Sequence, residues 1–419
     1  MIILFYLFYF FFIFSPRINV LGVEVRPEDF IFVILFTFFI LTKSNSKINH
    51  IFSNIYFYFF ILFICMSIST LVGVLFLNVN YFHAITFYLR DLQYFIIFFI
   101  FYERIKISDI DSYINYIIVL SLVVPFYSIY KISSFGISNF SYVASFPFDK
   151  PARMQVSGFC LIMFILNLCL LLYYRIKISY IISVFIYPIT IILTASRSYT
   201  AMLPITLLLL FIDNTYRLFN SKNKYKGLSL NTGQFLSLLI LLLFVIIGTI
   251  YLPETFLMTR LQGYTDETIS NPRLESIQGA RNNTMNEWIN YSKESYYTIF
   301  FGHGKGCGPK SEITVSSTGR PLAELSIIRI YGEIGLFGLF IFLFINFIFI
   351  NRINTYILSA NETTPLSIFI FGILLVTSFL IVSFFQEPFY TTKTAIPYWM
   401  FLGILMKLIT LECNIIHKK

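Results

Sequence analysis

The residues best suited to chemistry in this chain stand where charge is hardest to keep. The run Arg320-Pro-Leu-Ala-Glu324-Leu-Ser-Ile-Ile-Arg329-Ile-Tyr-Gly-Glu333 leads straight into a long apolar stretch. Charges at the mouth of a membrane-length helix are costly, so they are functional candidates by default. Glu324 comes first among them, because a positioned carboxylate can accept the proton of an attacking hydroxyl. Arg320, four residues earlier, shares its helical face and would keep it ionised; a plain salt bridge between the two is the alternative. Arg329 and Glu333 repeat the same spacing. Glu333 is about half a turn out of phase with Glu324, so on an unbroken helix only one of them faces a central cavity.

Cations at other outer helix ends suit an anionic ligand. Arg197, in Thr194-Ala-Ser-Arg197-Ser-Tyr-Thr, opens an apolar run. A helix N-terminus attracts anions, and an arginine there with the Ser196 and Ser198 hydroxyls would form a phosphate-binding corner. The competing reading is an arginine reaching up to lipid head groups. Arg90 is neighboured by Asp91, which either neutralises it or leaves it to a ligand. Arg153 lies in a loop, where a solvated charge and a ligand contact are equally expected. Arg17 and Arg26 read as interfacial anchors. In Asn271-Pro-Arg273-Leu-Glu275, Asn271 suits a helix N-cap with Pro272 in the first turn, which places Arg273 there too. The stretch Phe301-Gly-His303-Gly-Lys305-Gly-Cys307-Gly lacks the ending of a phosphate loop and reads as a flexible turn. His303 is the sole histidine of its segment, and such a residue is more often structural than catalytic.

These residues must be positioned by membrane helices. Hydrophobic residues make up 57% of the 419 and charged residues 12%, about half the share of soluble domains. Twelve apolar runs fall near 2–15, 29–42, 55–77, 85–102, 112–131, 157–174, 178–194, 197–212, 234–252, 324–350, 366–384 and 396–411. A span needs about 20 apolar residues, fewer if tilted or buried. The expected fold is therefore an all-α polytopic membrane protein of about 12 transmembrane helices. It divides into helices 1–9 over 1–252, an extracytoplasmic insert over 253–323, and helices 10–12 with a tail over 324–419.

Orientation follows from lysine and arginine in short loops. Lys43 and Lys47, Arg104 and Lys106, Arg175 and Lys177, the loop from Arg217 to Lys226, and the tail ending Lys418-Lys419 all fall on one side if there are twelve spans. That side is the cytoplasm, with both termini, and the insert faces outward. The net charge of +9 is thus a topology signal, and no nucleic-acid partner is expected. The five cysteines show neither metal spacing nor a paired framework. No internal repeat is visible, which counts against repeat-built transporters.

Three segments together resemble bacterial O-antigen polymerases (Wzy) and, more distantly, O-antigen ligases and related lipid-linked glycan transferases. The first is Leu193-Thr-Ala-Ser-Arg197-Ser. The second is Pro272-Arg273-Leu-Glu275-Ser with Trp288 and Phe300-Phe-Gly302-His-Gly304-Lys-Gly306. The third is Glu324-Leu-Ser-Ile-Ile-Arg329-Ile-Tyr-Gly-Glu333-Ile-Gly335-Leu-Phe-Gly338. Ligases of this kind carry His-Asn where this chain has Glu324-Leu325, which favours a polymerase.

The resemblance implies a membrane glycosyltransferase (GT-C-like) fold in the bacterial inner membrane. It implies an undecaprenyl-diphosphate-linked glycan donor and a similar acceptor, a chain-length-regulating membrane protein as partner, and no metal or other cofactor. Glu324 is then the expected general base. Arg197, Arg273, Arg320, Arg329 and Arg90 are the expected diphosphate ligands, with weaker contacts from Arg153, His303, Ser196 and Ser198. A ligase, and a non-enzymatic flippase or exporter of lipid-linked glycan, are the competing readings.

Overall fold

A computed structural model describes residues 2–42, 50–77, 81–135, 144–220, 295–305, 326–359 and 366–416, apart from positions 15, 17, 21–22, 150–152, 175, 195 and 387. Glu324, Arg320, Arg273, Arg17, the ninth apolar run (234–252) and most of the insert lie outside the described residues. The side chains of Arg197 and Arg153 do as well.

The described chain is helical apart from one small hairpin. Its helices are α1 (Ile2–Ile13), α2 (Pro27–Leu41), α3 (His50–Phe76), α4 (Tyr81–Arg104), α5 (Ile107–Ser121), α6 (Val123–Phe135), α7 (Arg153–Tyr173), α8 (Ile178–Leu193), α9 (Arg197–Asn220), the short α10 (Tyr296–Phe301), α11 (Ser326–Ser359), α12 (Leu366–Ser383) and α13 (Thr392–Ile416). Strands β1 (Ile18–Val20) and β2 (Val23–Val25) pair antiparallel between α1 and α2. Among the described residues, five helical stretches are long and apolar enough to cross a membrane: Ile55–Phe76, Ala84–Arg104, Ile107–Lys131, Met154–Tyr173 and Ser326–Ile357. Four shorter apolar helices accompany them.

Local chemistry sets several boundaries. Pro27 opens α2, where a missing N–H costs nothing, and Asp29 Oδ2 accepts the Arg26 amide at 3.0 Å. Ser295 and Thr298 cap α10 reciprocally, each side chain bonding the other's amide, at 3.1 and 3.0 Å. Inside the apolar helices, polar side chains turn back on their own helix: Asn167 donates to the Met163 carbonyl and Asn346 to that of Phe342.

Helix ends meet in two sets. At one end, Tyr56 bonds Glu103, Arg104 bonds the Phe39 carbonyl, Lys177 bonds Asn115 and Lys407 bonds the Glu103 carbonyl. At the other, Ser157 bonds Thr194, Tyr94 bonds Thr392 and Gln386 bonds Ser198. The first set joins chain segments beside the short basic loops, and the second joins the opposite ends of the same helices. Between them, α3, α4, α11 and α13 lock through Trp399. Its ring lies 5.0 Å from Phe95, 5.8 Å from Phe59 and 6.4 Å from Phe349.

Candidate functional site

α11 is not one unbroken helix. Gly335 sits at φ +70°, a left-handed conformation inside the helical run, and a β-carbon there would strike the Phe300 backbone. The break, two residues past Glu333, opens the carbonyl ladder there. The loop after α10 docks into that opening: the His303 amide donates to the Gly332 carbonyl and the Gly304 amide to that of Glu333, both at 2.9 Å. On its other side the loop lies against α3. The Lys305 amide reaches Thr70 Oγ1 at 3.5 Å, and a β-carbon on Gly73 would strike the His303 carbonyl. Ser69 closes the junction by donating from Oγ to the Glu333 carbonyl. The described part of the glycine run, expected to be a flexible turn, is therefore a packed wedge, with Gly302, His303, Gly304 and Lys305 all buried; its remainder, 306–308, lies outside the described residues.

The wedge delivers a lysine to two carboxylates. Lys305 Nζ lies 2.6 Å from Asp91 Oδ2 on α4 and 2.8 Å from Glu333 Oε2 on α11. Arg329 Nε donates to Glu333 Oε1 at 3.0 Å, realising the four-residue spacing read in the sequence. Tyr390, from the α12–α13 connection, donates its hydroxyl to Glu333 Oε2 at 2.9 Å. Its ring lies 4.0 Å from the Arg329 guanidinium, whose other neighbour is Phe87 at 5.1 Å. Glu333 is fully buried, and Lys305, Arg329 and Asp91 are at most 8% exposed. Two cations and two carboxylates balance, as buried charge requires.

Burial alone would lower the Lys305 pKa, but the Asp91 and Glu333 carboxylates outweigh it and hold it above its ordinary 10.5. Burial first, and then the Glu333 charge, push the Tyr390 phenol well up, so it stays a hydrogen-bond donor. Below these groups is a cavity of about 30 Å³, lined by Asp91, Lys305 and Tyr390 on its polar side and by Leu62, Met66 and Trp399 among its apolar walls. It has room for about one water. Among the described residues no group of three or more His, Cys, Asp or Glu is arranged to hold a metal.

A second buried charge set lies nearby. Lys393 Nζ reaches Glu28 Oε1 at 3.3 Å and donates to the Phe12 carbonyl, while Arg26 lies 3.7 Å from Glu28. Arg26, expected as an interfacial anchor, is only 8% exposed and faces Glu28. The Tyr94–Thr392 hydrogen bond, at 3.1 Å, sits between the two sets.

Of the residues singled out in the sequence, Arg329 and His303 are in this assembly, His303 through its backbone. Arg90 is half-buried one residue before Asp91, and Asp91 turns to Lys305. Ser196 is buried with its Oγ 3.3 Å from Met154 Sδ, and Ser198 accepts from Gln386 Nε2 at 3.1 Å. Arg197 begins α9 as expected. Glu333, which the phase argument sets against Glu324, is the hub of the charge set. Lys305, Asp91 and Tyr390 were missed as members. A signal for Lys305 was present: glycines on both sides of a charged residue mark a backbone that passes close to another.

Gln386 joins distant parts of the chain. Its side chain donates to Ser198 while its carbonyl accepts the Ser326 amide at 3.0 Å. The turn at 194–198, the wedge at 302–305 and the start of α11 thus lie at one end of the bundle. No model of a known protein family and no curated protein matches this chain.

Proposed function

We propose that this chain is a lipid-linked glycan polymerase working on the outer face of the bacterial inner membrane, with twelve transmembrane helices of the membrane glycosyltransferase type. The observation that supports this reading is that three segments far apart in sequence lie at one end of the bundle. The Gly-His-Gly-Lys wedge at 302–305 docks directly on the Arg329–Gly335 stretch, and the Ser-Arg turn at 196–198 is tied to the start of the same helix through Gln386. These are segments that resemble O-antigen polymerases, and charged groups crowd the junction of the wedge with α11.

In the proposed reaction, a hydroxyl of the terminal sugar on an incoming lipid-linked repeat unit attacks the anomeric carbon of the growing glycan. The new C–O bond forms as the bond to undecaprenyl diphosphate breaks. The hydroxyl proton passes to Glu324, and the diphosphate leaves with the electron pair. Arg197, Arg273 and Arg320 stabilise that leaving charge, with Arg90 beside them. Arg329 is already paired to Glu333 and supports the site from beneath. A chain-length-regulating membrane protein is the proposed partner.

The test is polymerisation by the purified full-length protein in nanodiscs, supplied with lipid-linked repeat units extracted from a strain lacking the gene. A ladder of glycan lengths on lipid is the expected product. Correctly folded protein that leaves single repeat units unchanged contradicts the reading.

A further inference from the structure

The connection between α12 and α13 supplies none of the residues singled out in the sequence, yet it touches three of the four members of the charge set. Tyr390 meets three members. Its hydroxyl donates to Glu333 Oε2 at 2.9 Å and lies 3.4 Å from Lys305 Nζ, and its ring lies 4.0 Å from the Arg329 guanidinium. Four residues earlier, Gln386 ties the same connection to Ser198 on α9 and to the Ser326 amide at the start of α11. Thr392, two residues after Tyr390, bonds Tyr94 on α4.

We infer that Gln386, Tyr390 and Thr392 form a fourth part of the site and that Tyr390 is its positioning residue, one face of its ring setting Arg329 and its hydroxyl setting Glu333. The inference rests on the polymerase reading for its assay. The geometry gives a reason for a tyrosine here. A phenylalanine would stack on Arg329 but leave Glu333 short of a donor, and a side chain without the ring would leave Arg329 only the more distant Phe87 face. Glu333 takes three donors: Lys305 Nζ, the Tyr390 hydroxyl and Arg329 Nε. Losing one of these lets the carboxylate rotate and carries the arginine with it. The charge set is almost wholly buried, so it arranges the groups that meet the glycan without itself binding much of it. Disturbing it should therefore affect turnover more than substrate affinity.

The test uses the nanodisc assay with Tyr390→Phe, Tyr390→Leu and wild type, measuring initial rates against the concentration of extracted lipid-linked repeat units. Tyr390→Phe is expected to lower kcat about tenfold, and Tyr390→Leu about a hundredfold, with KM within about twofold of wild type. The thermal midpoint of Tyr390→Phe should stay within a few degrees of wild type. Tyr390→Phe therefore decides the matter even if Tyr390→Leu fails to fold. Wild-type kcat in Tyr390→Phe, or a rate loss seen only where the protein melts, overturns the inference and leaves the polymerase reading standing. A folded wild type that makes no polymer sinks both.

Discussion

Lys305 Nζ lies 2.6 Å from Asp91 Oδ2, so a loop between apolar helices is fastened to the N-terminal half of α4 by a buried ion pair. The same nitrogen holds Glu333 at 2.8 Å. One lysine thus balances two carboxylates on different helices, with Arg329 supplying the second positive charge.

That balance makes single and paired substitutions differ. Lys305→Met leaves two buried carboxylates facing one arginine, and breaking a buried pair costs about 3–5 kcal/mol. Asp91→Asn combined with Lys305→Met leaves the Arg329–Glu333 pair intact and neutral. Thermal unfolding of purified protein should show the double variant recovering most of the loss. A double variant as unstable as the sum of the singles would contradict a shared charge set.

The pH dependence of that stability follows from the Lys305 shift. Its folded pKa is raised above the ordinary 10.5. The stabilisation is therefore complete below 10.5 and fades only as pH rises through the higher folded value. Wild-type stability should therefore show no loss from the Lys305 ion pairs up to about pH 9 and should lose it only in strong alkali. An alkaline loss of stability between about pH 7 and 9 that is absent from Lys305→Met would mean that Lys305 is not held as a cation between the two carboxylates.

Gly335 tests the broken helix. Its positive φ and its approach to the Phe300 backbone leave no place for a side chain. Gly335→Ala should lose about 1–3 kcal/mol of stability and loosen the wedge at 302–305. Hydrogen exchange at the His303 and Gly304 amides reads that loosening directly. Unchanged protection and stability would argue for a continuous α11.

Much of the fold is legible in the sequence because the bilayer permits little else: a backbone in hydrocarbon must satisfy itself, and long apolar helices do so. A helix covers every apolar run in the described residues. The run at 112–131 is split at Leu122 into α5 and α6, and α11 runs on to Ser359 through Asn351 and Arg352, where a helix leaving the apolar layer tolerates polar residues. The hairpin of two three-residue strands is too short to show in a hydropathy pattern. The site was less legible. Arg329 and Glu333 share a helical face by spacing alone, but Lys305 and Asp91 are partners only through the wedge. That wedge depends on a break at Gly335, and on an unbroken helix Glu333 is set aside. Tyr390 has no signature in a chain with 29 tyrosines.

Arg197 separates a ligand-holding arginine from a lipid anchor. It begins α9, where an anion is favoured and a lone cation is not. Arg197→Lys keeps the charge but loses the planar fork that grips two phosphate oxygens. It should impair polymerisation strongly, with normal amounts of protein in the membrane. Full activity in Arg197→Ala would return this residue to the lipid interface.

The most direct measurement of the central claim is gel analysis of surface glycan after deletion of the gene, with complementation by wild type and by Glu324→Gln. The account predicts that deletion leaves a lone repeat unit on its acceptor with no ladder. Wild type should restore the ladder, and Glu324→Gln should fail to, losing about 10²–10⁴ in rate as a missing general base does. A full ladder in the deletion strain, or no glycan on the acceptor at all, would contradict it, the latter pointing to a ligase or a flippase.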